Sequence, residues 1–531
     1  MSATVTLGAA PALAAKKNKW VIAAAVTFGT LMGTIDTSIV NVALPQLRGT
    51  LSATVEEITW ISTGYVVASV IVMPITAWLG ARFGRKRIYM LGLALFLLGS
   101  LFCGTARSLG PLVFFRILQG MGAGALQPTE QAILRETFPP KEQGMAMGLY
   151  AFAIMIGPAI GPTLGGYIVD NYSWPMIFYI NLPVGVLGLA MVWHFVEDPP
   201  YFERIKGKVD WTGLGLLVLG LAALQTLLEQ GEQNDWFESK LDVAYATVGV
   251  GALLMFVVHE LQTESPIVNL RVLKNRSFAT GTAIGAILGA VLFSSLFLLP
   301  LYMQEFLRYN ATQTGLALMP RSLTMLVTIP IVGALYNKIS PKLVIAFGLG
   351  LGGVTCLQMS HFTLQTSPAQ ILIPQVLQGV ALACIFIPLS TVSLATIERR
   401  RMSDATGLNN LVRQLGGSFG VAIFAAALGR FSHQARAAVV AHLSVTDPEV
   451  QARLIAMQRA LGRDGVDAAT ATARALHMLD MQVSGQAAML GFEKAFYLAG
   501  LLFFAAIPFV VLLDTPDLSK APSAEHAAVE I

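Results

Sequence analysis

Fourteen apolar runs, each long enough to cross ~30 Å of hydrocarbon as a helix, constrain this chain more than any other feature. They begin near Trp20, Thr59, Ile88, Pro111, Gly144, Trp174, Asp210, Leu241, Ser277, Gly315, Leu343, Ala369, Leu408 and Met489. Within a bilayer every backbone N–H and C=O needs a partner inside the protein, so such runs take the form of continuous helix. Only 12% of the 531 residues are charged and 55% are hydrophobic, against roughly 25% charged in soluble domains. The expected fold is therefore an all-α polytopic membrane protein.

Basic residues orient it. Twenty-one lysines and arginines fall in the tails and alternate loops of one side, including Lys16, Lys17, Lys19, Arg82, Arg85, Lys86 and Arg87. The short loops opposite hold only Arg48, Arg107, Lys240 and Arg308. Basic loops stay in the cytoplasm, so both termini are expected there, the first as an uncleaved tail. The expected organisation is a tail at 1–19, a six-helix bundle at 20–195 and a linker at 196–276 with two additional helices. A second six-helix bundle at 277–513 follows, with a long extracytoplasmic loop at about 431–488, then a tail at 514–531. Within that loop Leu454, Met457 and Leu461 recur at helical spacing, which predicts an amphipathic helix.

The chain also echoes itself. Arg116-Ile-Leu-Gln119-Gly120 returns as Gln375-Val-Leu-Gln378-Gly379, and the loop at 79–86 returns at 335–342. Two echoes at nearly one offset indicate an internal duplication, common among transporters.

Charges inside apolar runs are costly and tend to be functional. Asp36 lies eight residues from the outer end of the first span and Arg116 five residues into the fourth, or ~12 and ~8 Å deep at ~1.5 Å per residue. They form either a proton-exchanging pair or a permanent structural one. Glu130 lies further along the fourth span, as a second proton site or as a clamp on the basic loop at Arg82 to Arg87. Gln119, Gln127 and Gln131 on the same helix suit a cavity wall. Arg321 is a candidate contact for a polar substrate, and Arg413 is placed to snorkel toward the cytoplasm. Gly157, Gly161 and Gly165 recur every four residues with Pro158 and Pro162 between them. This smooth, bent stripe is suited either to rocking of one bundle on another or to tight helix packing without a role in motion.

Several segments carry a resemblance. Gly33 to Pro45 (GTIDTSIVNVALP), Arg82-Phe-Gly84-Arg85-Lys86, Arg116 to Gly124 (RILQGMGAG), Gly157 to Gly166 (GPAIGPTLGG) and Tyr172 to Gly185 (YSWPMIFYINLPVG) appear in order. With Leu408 to Gly420 they resemble the 14-span drug:proton antiporters of the major facilitator superfamily, nearest its EmrB-type multidrug efflux permeases. One position departs: the superfamily loop motif has an Asp where this chain has Ala81. The resemblance implies two six-helix bundles plus two central helices, and proton-coupled efflux of small lipophilic compounds by alternating access. It also implies Asn41 in the substrate cavity and Arg82, Gly84, Arg85 and Lys86 in gating. A periplasmic membrane-fusion adaptor and an outer-membrane channel are the partners it suggests, in a bacterial inner membrane, the long outer loop serving either to dock the adaptor or as a local cap over the outer vestibule. The alternatives are a dedicated exporter of one metabolite and a non-transporting receptor or assembly protein of the same fold.

No enzyme is expected. The seven histidines are scattered, no phosphate-binding loop precedes a helix, and Cys103, Cys356 and Cys384 lie in separate apolar runs without metal or disulfide spacing. No cofactor, metal or nucleic acid is expected, the proton gradient being the energy source.

Overall fold

The structure, a computed structural model, describes residues 18–139, 142–198, 209–335, 339–397, 401–443, 447–463 and 467–513. The expected tails, with Lys16 and Lys17, and the side chain of Pro158 lie outside the described residues. The first half comprises α1 (Lys19–Leu51), α2 (Val55–Phe83), α3 (Arg85–Thr105), α4 (Leu109–Thr137), α5 (Gln143–Asn171), α6 (Met176–Tyr179) and α7 (Asn181–Phe195). Next come α8 (Trp211–Gln230) and α9 (Lys240–Gln262). The second half holds α10 (Arg276–Glu305), α11 (Ala311–Leu335), α12 (Pro341–Met359), α13 (Pro368–Ala395), α14 (Met402–Ala441), α15 (Pro448–Arg463) and α16 (Ala468–Val510). Fourteen of the described helical segments are long and apolar enough to span a membrane, α6 and α7 counting as one. The chain is a multi-pass membrane protein.

Local chemistry sets many boundaries. Thr54 with Glu57 and Ser367 with Gln370 form capping boxes at the starts of α2 and α13, satisfying first-turn N–H groups. Gly84, at φ 98°, both ends α2 and starts α3, a turn whose backbone region L side chains rarely enter.

The two halves are built alike. In the first, α1 packs on α5 and α7, and α4 packs on α2 and α3; in the second, α10 packs on α14 and α16, and α13 packs on α11 and α12. Equivalent glycines bring equivalent helices together. A Cβ on Gly120 would sit 2.3 Å from the Tyr65 carbonyl, and one on Gly379 would sit 2.4 Å from the Arg321 carbonyl. The duplication read from sequence is thus also a duplication of packing.

Here "inner" denotes the face where α1 begins and α2 turns into α3. The halves meet through α2 with α14 and α5 with α11, while α8 lies against both α2 and α14 along that seam. Gln230 of α8 donates to Thr63 of α2 at 2.8 Å, and Gln225 donates to Ser418 of α14 at 2.7 Å.

Two expectations gain detail. The described residues of the segment at 431–488, expected as a long extracytoplasmic loop carrying amphipathic helix, are largely helical. At ~1.5 Å per residue, α14 and α16, of 40 and 43 residues, exceed the ~30 Å core by about 30 Å each. They pack together outside it, where Arg436 pairs with Asp480 at 2.6 Å. The amphipathic reading corresponds to α15, whose half-buried positions include Leu454, Met457 and Leu461 and which packs on α16. The glycine stripe of α5 matches its packing reading. Cβ atoms on Gly157, Gly161 and Gly165 would meet Thr34, Ser38 and Ile39 of α1, at 2.6, 2.4 and 3.2 Å. The stripe holds α1 within its own bundle. It is Gly144 and Gly148 that face α11 across the seam, against Gly333 and Ile329.

Candidate functional site

Asp36 is fully buried and its carboxylate is saturated with donors. Arg116 Nη1 donates to Oδ2 at 2.6 Å, while Gln119 Nε2 and Asn181 Nδ2 donate to Oδ1 at 2.9 and 2.8 Å. Arg116 Nη1 also reaches Gln119 Oε1 at 2.8 Å, and its Nε donates to the Ile61 carbonyl at 3.2 Å. The guanidinium lies 4.2 Å from the centre of the Tyr65 ring, within cation–π range. Arg116 and Gln119 sit three residues apart and so share one face of α4. Depth counting placed Asp36 and Arg116 at one level; the structure places them in contact and puts Gln119 with them rather than in a cavity. Asn181, at the start of α7, went unassigned although it lies within the Tyr172 to Gly185 motif.

Glu130 is also fully buried, but its partners are neutral. Thr27 Oγ1 donates to it at 3.1 Å and Thr30 Oγ1 donates to the other carboxylate oxygen. Among the described ion pairs none involves Glu130. The clamp on the basic loop is not made by this residue. Arg85 pairs instead with Glu136 in the last turn of α4. The Lys86 amide donates to Asp198 at 2.9 Å and its Nζ donates to the Trp193 carbonyl at 2.6 Å. Arg82 stacks over Trp78 at 5.2 Å. A Cβ at Gly84 would meet Asp198 at 2.5 Å. Carboxylates from α4 and the end of α7 therefore surround a loop that lacks the Asp at position 81.

Between the halves lies a cavity of about 260 Å³ bounded by α1, α2, α4, α5, α10, α13 and α14. Thr30, Thr34, Asn41 and Gln127 supply polar wall from the first half, and Arg413 and Gln414 from the second. Tyr65, Met73, Met155, Phe293 and Phe386 supply apolar wall, the mixture of soft and aromatic surface that accommodates varied lipophilic shapes. Glu130 lies one side chain behind it, on Thr30, whereas Asp36 lies deeper, behind Tyr65 and Arg116.

Three expected lining residues are elsewhere. Gln119 belongs to the Asp36 network, Gln131 accepts from Asn410 at 2.8 Å, and Arg321 is buried against Gln378 at 3.3 Å. Arg413 does not snorkel. It is 8% exposed, lines the cavity, and donates to Tyr150 Oη and Asn410 Oδ1 at 3.0 and 2.5 Å. Tyr150 and Asn410 were not singled out from sequence; both sit in apolar runs where a polar group implies a buried partner.

The described hydrogen bonds joining the halves lie at mid-membrane or toward the inner face. Arg135 donates to the Thr391 carbonyl at 3.3 Å, Tyr150 to Asn410 at 3.0 Å, and Ser322 to the Met155 carbonyl at 3.1 Å. Together with the Asn410–Gln131 bond they place the seal below the cavity. The arrangement is that of a two-bundle protein closed at its inner face.

Comparison with known proteins agrees with this architecture. The Major Facilitator Superfamily model matches residues 26–421. The chain is 34% identical over 400 residues to the multidrug export protein EmrB of Haemophilus influenzae, covering 75% of this chain and 78% of that protein. It is 31% identical over 489 residues to the fatty acid resistance protein FarB of Neisseria gonorrhoeae, covering 91% and 94%. The crystal structure of the human organic anion transporter MFSD10 matches at a TM-score of 0.58 and 14% identity, covering 91% of this chain and 99% of that one.

Proposed function

The chain belongs to the Major Facilitator Superfamily and is a transporter rather than an enzyme; from that premise we propose proton-coupled efflux of small lipophilic compounds, needing no cofactor. The observation that carries this reading is the pairing of one central cavity with a buried carboxylate, Glu130, directly behind its wall. The excess of basic residues in alternate loops supports an inner face, with both termini, on the cytoplasmic side of a bacterial inner membrane. The form closed at the inner face is then the one that releases substrate and takes up protons from outside.

The two carboxylates have different work in this scheme. Asp36 has its charge balanced by Arg116 and two amides, and it holds α1, α4 and α7 together. Glu130 has only hydroxyl donors, so a proton there removes a charge that no cation balances. Uptake at Glu130 from the outward cavity, and release once the inner seal opens, couples inward proton flow to outward substrate flow. Each proton moving inward gains ~2.3 kcal/mol per 100 mV, enough for well over a tenfold gradient.

Arg413 favours a substrate class. It is the cation of the cavity wall, and no carboxylate lines that wall among the described residues. Lipophilic compounds with an acidic head fit this better than lipophilic cations, which accords with the fatty acid resistance named for FarB. The projecting α14–α15–α16 unit is the surface we assign to a periplasmic membrane-fusion adaptor, itself feeding an outer-membrane channel.

The deciding experiment is transport in inverted vesicles under an imposed pH gradient. Glu130→Gln is expected to abolish gradient-driven uptake while leaving substrate binding within about threefold. Full pH-driven uptake by that variant refutes the proton role of Glu130.

A further inference from the structure

The second half keeps its own buried polar cluster where the first half keeps its ion pair. At the repeat offset of 259 residues Gln375 stands for Arg116, Gln378 for Gln119 and Ser295 for Asp36. The geometry follows the alignment: Gln378 Nε2 donates to Ser295 Oγ at 3.3 Å, as Gln119 does to Asp36. Two exchanges distinguish the copies. The cation now comes from α11, as Arg321, whose carbonyl meets Gly379 as that of Tyr65 meets Gly120, and the carboxylate position holds a hydroxyl.

The result is a positive charge without a counter-charge. Arg321 is 2% exposed, and its one described hydrogen bond runs from Nη1 to Gln378 Oε1 at 3.3 Å. Its Nε has no partner, and among the described ion pairs none includes it. Gln375 is fully buried with both amide atoms unpartnered, one turn along the same face of α13 from Gln378. A guanidinium does not shed its proton, and a buried charge left unpaired is strongly destabilising. Unused donors and one uncompensated positive charge fit a small monovalent anion.

We propose that a chloride-sized anion binds at Arg321, Gln375, Gln378 and Ser295, supplying the negative charge that Asp36 supplies in the first half. The site is separate from the central cavity and does not depend on what the protein exports.

Purified full-length protein in detergent tests this by thermal unfolding in sodium chloride against sodium gluconate at constant ionic strength. Chloride is expected to raise the unfolding temperature saturably, by roughly 2–5 °C. Arg321→Gln should lose that response. Ser295→Asp, which installs a resident carboxylate, should also lose it while unfolding in gluconate no lower than wild type does in chloride. A wild-type protein indifferent to the exchange of anion overturns the proposal, as does a full chloride response in either variant. Should Arg321→Gln fail to fold, Ser295→Asp alone decides.

Discussion

Replacing Arg116 by Leu would leave the Asp36 carboxylate buried with only Gln119 and Asn181 as donors. Removing one member of a buried ion pair costs about 3–5 kcal/mol, most of it the uncompensated charge left behind. Replacing both members by apolar groups of similar volume is often nearly neutral. The double variant Asp36→Leu/Arg116→Leu should therefore lose much less than the two single losses added together. For a cooperative unit near the size of the first half, ~2–4 °C per kcal/mol turns each single loss into a fall of roughly 6–20 °C. The protein carries its own reporter. Cys103, Cys356 and Cys384 are buried free thiols, so a thiol-reactive dye reads unfolding as they become exposed. Gln119 and Asn181 would remain to be satisfied in the double variant, so recovery should be partial rather than complete. Strict additivity of the two single losses would refute the reasoning, because it would mean that neither charge depends on the other for its burial.

Other perturbations test other parts of the architecture. Cysteines at Gly144 and Gly333, where a Cβ on Gly144 would lie 3.6 Å from the Gly333 Cα across the inner seam, should form a disulfide that halts transport until reduced; turnover by fully cross-linked protein would contradict an opening of this seam. Gly161→Leu drives a side chain into Ser38 of α1 and should lower stability by about 1–3 kcal/mol, whereas Gly485→Ala, inside α16 with open space around it, should leave stability unchanged or raise it by up to about 1 kcal/mol; equal unfolding temperatures for the two would refute the close α1–α5 contact. Arg413→Gln should weaken binding of acidic lipophiles by roughly ten- to a hundredfold, one charge-assisted contact being worth ~1.5–3 kcal/mol, with little effect on cationic dyes; equal loss for both classes would remove the electrostatic basis of selection.

Hydropathy along the chain was enough to determine a helical membrane protein with fourteen crossings, because crossing a bilayer depends on the length and polarity of a continuous run. Most expected starts fall within a few residues of the helices. The exception is instructive: α16 begins at Ala468 rather than near Met489, since its outer part is too polar to register as a span and is helical through packing on α14. Sequence also determined the duplication and singled out Asp36, Arg116 and Glu130, because a charge in an apolar run is conspicuous by its cost.

Partners were another matter. Asp36 finds Asn181 across 145 residues and Tyr150 finds Asn410 across 260, distances over which no local spacing specifies contact. Only the packing of helices revealed that Arg85 meets Glu136, that the α5 glycines face α1, and that Arg413 lines the cavity while Arg321 does not. The physical reason is the same in each case. Burial cost is carried by a residue alone and can be read from its neighbours in sequence, whereas the group that offsets it is chosen by which helix faces meet.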